Sequence, residues 1–144
     1  MLHECHAVEN YDNNLFIYYQ HHYQLISRYN ALLQKCRSTS NFAAIGNYLE
    51  YLKQYVVHYF ELEEHGMIAD KYPLFDAHKA EHELFKEQVN QQYQEYLKHG
   101  VNPHVFVKTI HSSGEWLVNH VYKSDQTMVV YLRDRVVNSY NYFN

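Results

Sequence analysis

Long stretches of helical periodicity, broken at few points, constrain this chain before anything else does. Apolar and aromatic residues recur three and four apart from about Asp12 past Leu33, from about Phe42 to near Ala69, from about Leu74 to Lys98, and again from Asn102. Cys36-Arg-Ser-Thr-Ser-Asn41 interrupts the first pattern with small polar residues, and Ser40 or Asn41 is placed to cap the next helix. Lys71-Tyr-Pro73 ends the second stretch. His99-Gly100 stops the third, with glycine suited to a left-handed cap. Asn102-Pro103 opens the fourth as N-cap and first helical residue. Rods of this length with short connections predict an all-α fold, an antiparallel up-down-up-down four-helix bundle. Residues 1 to about 11 read as an irregular N-terminal arm, Asp125 as the cap of a short last helix from Gln126 to about Val137, and Tyr140–Asn144 as a tail. The length predicts a single domain, 1–144.

Composition removes several function classes. The formal net charge is -4 with the two signs mixed along the chain, and no basic block marks a nucleic-acid partner. No apolar run approaches the roughly 18 residues of a membrane helix. Met1-Leu-His-Glu-Cys-His6 lacks the apolar stretch of a signal peptide, so a cytoplasmic location is expected. Cys5 and Cys36 make no disulfide framework, and reduced thiols suit that compartment. A monomer is expected. No Gly-rich phosphate loop, nucleophile elbow or Cys-x-x-Cys pair is present. What stands out is twelve histidines and sixteen tyrosines.

The histidines fall on the inner faces. On the first helix the stripe is Leu15, Phe16, Tyr19, His22, Tyr23, Ile26, Tyr29 and Leu33, with His21 turned about 100° away. On the second it is Ile45, Leu49, Leu52, Val56, Tyr59, Glu63 and Met67, and a carboxylate in such a stripe is costly unless paired or ligated. The third carries His78-Lys-Ala-Glu-His82, a pair four apart that can offer neutral ring nitrogens to one metal ion. Its far end, Gln91-Gln-Tyr-Gln-Glu-Tyr, is polar and reads as extending past the core. The fourth presents Val105, Phe106, Thr109, Ile110, Ser113, Trp116, Leu117 and His120, with Asp125 just beyond. His3, Cys5 and His6 form a weaker candidate clip, outweighed by a frayed terminus.

Each helix therefore offers at least one ligand: His22, Tyr59 with Glu63, His78 with His82, and His120 with Asp125. Two carboxylates and several imidazoles exceed what one tetrahedral zinc takes. They suit two iron ions, with Glu63 and Asp125 bridging and an oxo or hydroxo group completing the charge balance. Ferritin-like di-iron proteins use Glu-x-x-His, which occurs nowhere here.

In these motifs the chain resembles the bacterial hemerythrins. The matching residues are His22-Tyr-Gln-Leu25 with Asn30, Phe60-x-x-Glu63-Glu64-x-x-Met67, Tyr72-Pro73-x4-His78-x3-His82-x2-Phe85, and Trp116-Leu-x2-His120-x4-Asp125. They span about Asp12 to past Asp125. The resemblance implies a non-haem di-iron centre. One iron would take His78, His82 and His120. The other would take His22 and one more histidine, with an open position for dioxygen, and Glu63 and Asp125 would bridge the two.

One position departs from the family. Four residues before the bridging glutamate the family has a histidine, and this chain has Tyr59. Three outcomes are open: Tyr59 ligates as a phenolate, which iron(III) favours; Tyr59 stays neutral beside an open or water-filled position; or His58 reaches in through a one-residue bulge. The bulge ranks last because it sacrifices backbone hydrogen bonds, and of the others the phenolate is slightly preferred. The remaining histidines, at positions 21, 65, 99, 104 and 111, read as surface or outer groups. Dioxygen binding for storage, delivery or sensing is the first functional reading, with dioxygen or another small diatomic ligand as partner. Redox turnover of peroxide, nitric oxide or ferrous iron is the alternative, motivated by Tyr59. A degenerate bundle that holds one ion or none is the third.

Overall fold

The computed structural model describes residues 2–39 and 42–141, with the side chains of 15–37, 42–135 and 138. The helices are α1 (Leu2–Thr39), α2 (Ala44–Ala69), α3 (Phe75–His99), α4 (Pro103–Trp116) and α5 (Gln126–Asn141), with a π-helical segment, Leu117–Asp125, between the last two. From Pro103 to Asn141 the helix is unbroken, so α4, the π segment and α5 act as one rod. α1 packs on α2 and α5, α2 on α3, and α3 on α4, which closes the ring of a four-rod bundle.

The rod ends follow local chemistry. Asn102 takes extended backbone, and its Oδ1 accepts a hydrogen bond from Val105 N at 2.9 Å, with Pro103 in the first turn. Gly100 ends α3 at a φ of 72°, its N–H donating to Tyr96 O at 2.8 Å. After α2 the chain turns through Lys71 at a φ of 53°, and Tyr72 N donates back to Met67 O at 2.8 Å. Tyr131 Oη donates to Asp70 O at 3.0 Å, which ties α5 to that turn.

Several expectations change. The N-terminal arm is helical from Leu2, since residues 2–11 contain neither proline nor glycine to stop a helix. The side chains of His3, Cys5 and His6, the Ser40 and Asn41 caps, and residues 142–144 lie outside the described residues. The last helix begins at Gln126 as expected and runs on to Asn141, past the expected end near Val137 and into the expected tail, but Asp125 is the last residue of the π segment and not a free cap, because the rod continues through it. The far end of α3 is packed: Gln92 is buried and donates to Ser112 Oγ at 2.8 Å, and the Tyr96 ring lies over Gly46. The inner face of α1 runs through Tyr18, His22, Leu25 and Leu32, whereas Phe16, Tyr19 and Tyr23 are exposed.

The core is layered along the bundle. One apolar cluster contains Leu25, Leu32, Leu49, Leu52, Val56, Phe60, Phe85, Val89, Trp116 and Val121. A second contains Tyr18, Met67, Tyr72, Met128, Val129 and Leu132. Every rod carries its polar residue between the two clusters: His22 between Tyr18 and Leu25, Glu63 between Phe60 and Met67, His78 and His82 between Phe75, which packs against the second cluster, and Phe85, Asp125 between Val121 and Met128. Apolar layers above and below leave that slab nowhere to find water.

Candidate metal centre

Six ionisable side chains meet in the slab: His22, Glu63, His78, His82, His120 and Asp125, all buried. Five of them, all but His22, offer ligand atoms within 4.8 Å of one another. Donors around one ion at about 2.0–2.6 Å stand no more than about twice that apart, so this grouping fits a metal ion. His78 and His82 share a face of α3 because they are one turn apart, and their rings meet edge to face with centroids 4.6 Å apart. His120 and Asp125 are five residues apart, a spacing that an α-helix would splay by about 140°. The π segment that spans them brings both inward.

The two carboxylates face both ways. Glu63 Oε1 lies 3.1 Å from His82 Nε2 and 3.6 Å from His78 Nε2, while its Oε2 lies 3.3 Å from His22 Nε2. Asp125 Oδ1 lies 2.9 Å from His120 Nε2 and 3.1 Å from His78 Nε2, while its Oδ2 lies 2.9 Å from His22 Nε2. Oε1 and Oδ1 thus turn toward three imidazoles, and Oε2 and Oδ2 toward one. Despite these short separations, His78 Nε2, His120 Nε2 and both Asp125 oxygens make no hydrogen bond of acceptable geometry. Buried groups seldom stay unsatisfied, and here their lone pairs converge on shared points, as ligands to a cation do.

The electrostatics match. Burial and the charge of Asp125 push the Glu63 carboxyl up, but hydrogen bonds with His22 and His82 and the nearby His78 imidazole bring it down to about 2. Burial likewise raises Asp125, and the His120, His22 and His78 imidazoles close to its oxygens hold it well below the usual carboxylate range. Burial pulls His22 down, yet Asp125 and Glu63 carry it up to about 10, and the same balance carries His78 to about 9. Two buried anions demand positive charge in this slab, supplied by protons or by metal.

Outer contacts orient the ligands. His82 Nδ1 pairs with Glu64 Oε2 at 3.3 Å. His120 Nδ1 pairs with Glu81 Oε2, which also accepts from Ser124 Oγ at 2.8 Å. A carboxylate on Nδ1 fixes the ring and leaves Nε2 free to ligate. Aromatic rings wall the three-histidine side: Phe60 stacks on His82 at 3.9 Å, Trp116 on His120 at 3.7 Å, and Phe85 on Trp116 at 4.2 Å. Glu81 was not singled out in the sequence, where it is one more acid on the exposed side of α3; its partners lie on another rod.

Tyr59 is half-buried. Its ring stacks on His21 with centroids 3.4 Å apart and meets Tyr55 edge-on at 5.3 Å. His58 is exposed, and α2 is α-helical through it without a bulge. The π distortion expected as a remote option on α2 occurs on the fourth rod instead. Burial holds the His21 imidazole down, to about 4, against the opposing charge of Glu63.

A four-rod bundle with a buried His and carboxylate cluster defines a metal-binding helical protein. Residues 15–132 match the hemerythrin HHE cation binding domain, and the chain belongs to the hemerythrin family. It is 34% identical over 94 residues to a bacteriohemerythrin from Methylococcus capsulatus (strain Bath), an alignment covering 65% of this chain and 70% of that protein. No solved structure matches. Among the described residues no helix is long and apolar enough to cross a membrane.

Proposed function

We propose that this chain is a non-haem di-iron protein that binds dioxygen, for storage, delivery or sensing. The observation that carries the reading is the division of oxygens in Glu63 and Asp125, one of each pair toward His78, His82 and His120 and the other toward His22. Bridging carboxylates require that division, and a single ion does not. Imidazole with carboxylate suits iron in either oxidation state. An iron pair with an oxo or hydroxo bridge supplies the electrons that dioxygen takes up on binding.

The chain's own residues set the conditions. Glu63 and Asp125 offset the cationic charge in a slab closed by apolar layers. Glu64 and Glu81 hold the rings of His82 and His120 in register. Phe60, Phe85 and Trp116 keep water from the three-histidine side, which slows proton delivery.

The unequal split of imidazoles, three against one, supports a second reading: redox turnover of peroxide, nitric oxide or ferrous iron on the nitrogen-poor side. Loading the protein anaerobically with ferrous salt, counting iron, and exposing it to dioxygen decides between them. The oxygen-binding reading expects an iron pair per chain and a spectral change that reverses when the gas is removed. Irreversible oxidation on first exposure selects turnover, and failure to hold an iron pair removes both.

A further inference from the structure

Four rods bring three imidazoles to one side of Glu63 and Asp125 and one, His22, to the other. The residue that would restore the balance from α2 is Tyr59, one turn before Glu63. What occupies that place is a pair. The His21 ring lies against the Tyr59 ring with centroids 3.4 Å apart and planes at 28°. His21 Nδ1 is buried and has no hydrogen-bond partner. His21 adjoins His22 on α1, the rod that packs on α2, and the Glu63 carboxylate is the anion whose field it senses most.

We propose that His21 supplies the imidazole that position 59 lacks, as a nitrogen ligand on the His22 side of the centre, with Tyr59 as the neutral ring that supports it. The proposal rests on the di-iron reading above. Charge favours it over a phenolate. A Tyr59 phenolate would add a third anion beside Glu63 and Asp125. A neutral imidazole adds a donor without adding charge. It also gives a role to a buried nitrogen that otherwise has none. The stacked ring restricts the imidazole, so less freedom is lost when it ligates. His58, the other histidine next to Tyr59, is exposed and faces away.

The test loads wild type, His21→Gln, Tyr59→Phe and His58→Gln with ferrous salt, oxidises them, and measures iron per chain after desalting. X-ray absorption at the iron edge counts imidazoles, and visible spectra report phenolate. The expected result is that His21→Gln loses about half of the wild-type iron, the ion on the His22 side, and that the iron it keeps shows only the imidazoles of His78, His82 and His120. Tyr59→Phe and His58→Gln keep both, and the Tyr59→Phe spectrum is unchanged. Free imidazole added to His21→Ala restores the lost iron. Wild-type iron and imidazole counts in His21→Gln overturn the proposal, as does a broad visible band that Tyr59→Phe abolishes. Circular dichroism confirms that each variant is folded, and the rescue keeps the test decisive if glutamine is poorly tolerated. A wild-type protein that holds no iron pair fails earlier, on the di-iron reading itself, which separates the two failures.

Discussion

His120 Nε2 stands 2.9 Å from Asp125 Oδ1, although the two are five residues apart on one continuous helix. An α-helix cannot make that contact, and the π segment Leu117–Asp125 does. Such a stretch gives up regular i→i−4 bonding, so it persists only where the surroundings hold it. In the metal-free protein the amides of 117–125 should exchange faster than those of Pro103–Trp116 on the same rod. Iron should slow them more than it slows the rest of the rod. Hydrogen exchange read residue by residue checks this, and uniform protection along the rod would contradict it.

Glu81 reaches the centre only through His120. Glu81→Gln keeps the shape and removes the charge that holds Nδ1, so iron affinity should fall by about 10–100-fold. Glu81 is 45% exposed, so the unfolding midpoint of the metal-free protein should hardly move. Competition with a chelator of known affinity measures the first effect, and denaturant titration the second. Equal losses in both would mean that Glu81 is a structural residue.

Much of the fold and part of the site were legible, and the reasons are physical. The α2 stripe from Ile45 to Met67 reads cleanly because its polar face is unambiguous, and it carries Glu63 inward as its period requires. His78 and His82 read as a pair because four residues make one turn. On α1 the sequence stripe stands about one residue out of phase with the buried face, since Phe16, Tyr19 and Tyr23 repeat as regularly as Tyr18, His22 and Leu25, and tyrosine tolerates either side. The π segment leaves no trace in the hydrophobic period, so the sequence places Asp125 as an inward acid before the last helix but does not show the π backbone that turns it inward. Glu81 and the His21–Tyr59 stack are meetings between rods, which spacing within one rod does not report.

Without metal, protons balance Glu63 and Asp125, and stability should follow pH accordingly. His22 and His78 are raised from 6.5 to about 10 and about 9, so their contribution is complete below about pH 6.5 and is lost as pH climbs through 9 to 10. Glu63 is lowered from 4.5 to about 2, so its contribution is present above about pH 4.5 and is lost as pH falls toward 2. The metal-free protein should therefore be most stable between these limits. Iron must displace the imidazolium protons, so uptake should release protons to the buffer. Denaturant midpoints across pH, with proton release followed by an indicator dye, test both. A midpoint that does not fall between pH 6.5 and 10 would rule out protonated imidazoles in the metal-free slab.

Gly66 lies one turn beyond Glu63, and the Tyr18 hydroxyl occupies the space where a Cβ at that position would stand. Tyr18 is itself buried, one turn before His22 on the facing helix, so the crowding cannot be relieved by swinging the ring into water. Gly66→Ala should destabilise the bundle by about 1–3 kcal/mol, the usual range for overpacking. Tyr18→Phe removes the obstructing oxygen, so the double variant should cost less than the sum of the two single changes, with a coupling of about 0.5–3 kcal/mol. Denaturant unfolding of the four proteins completes the cycle. Strict additivity would show that α1 and α2 can separate at this point without disturbing each other, which the packing of Tyr18 against Gly66 and of His22 against Glu63 does not permit.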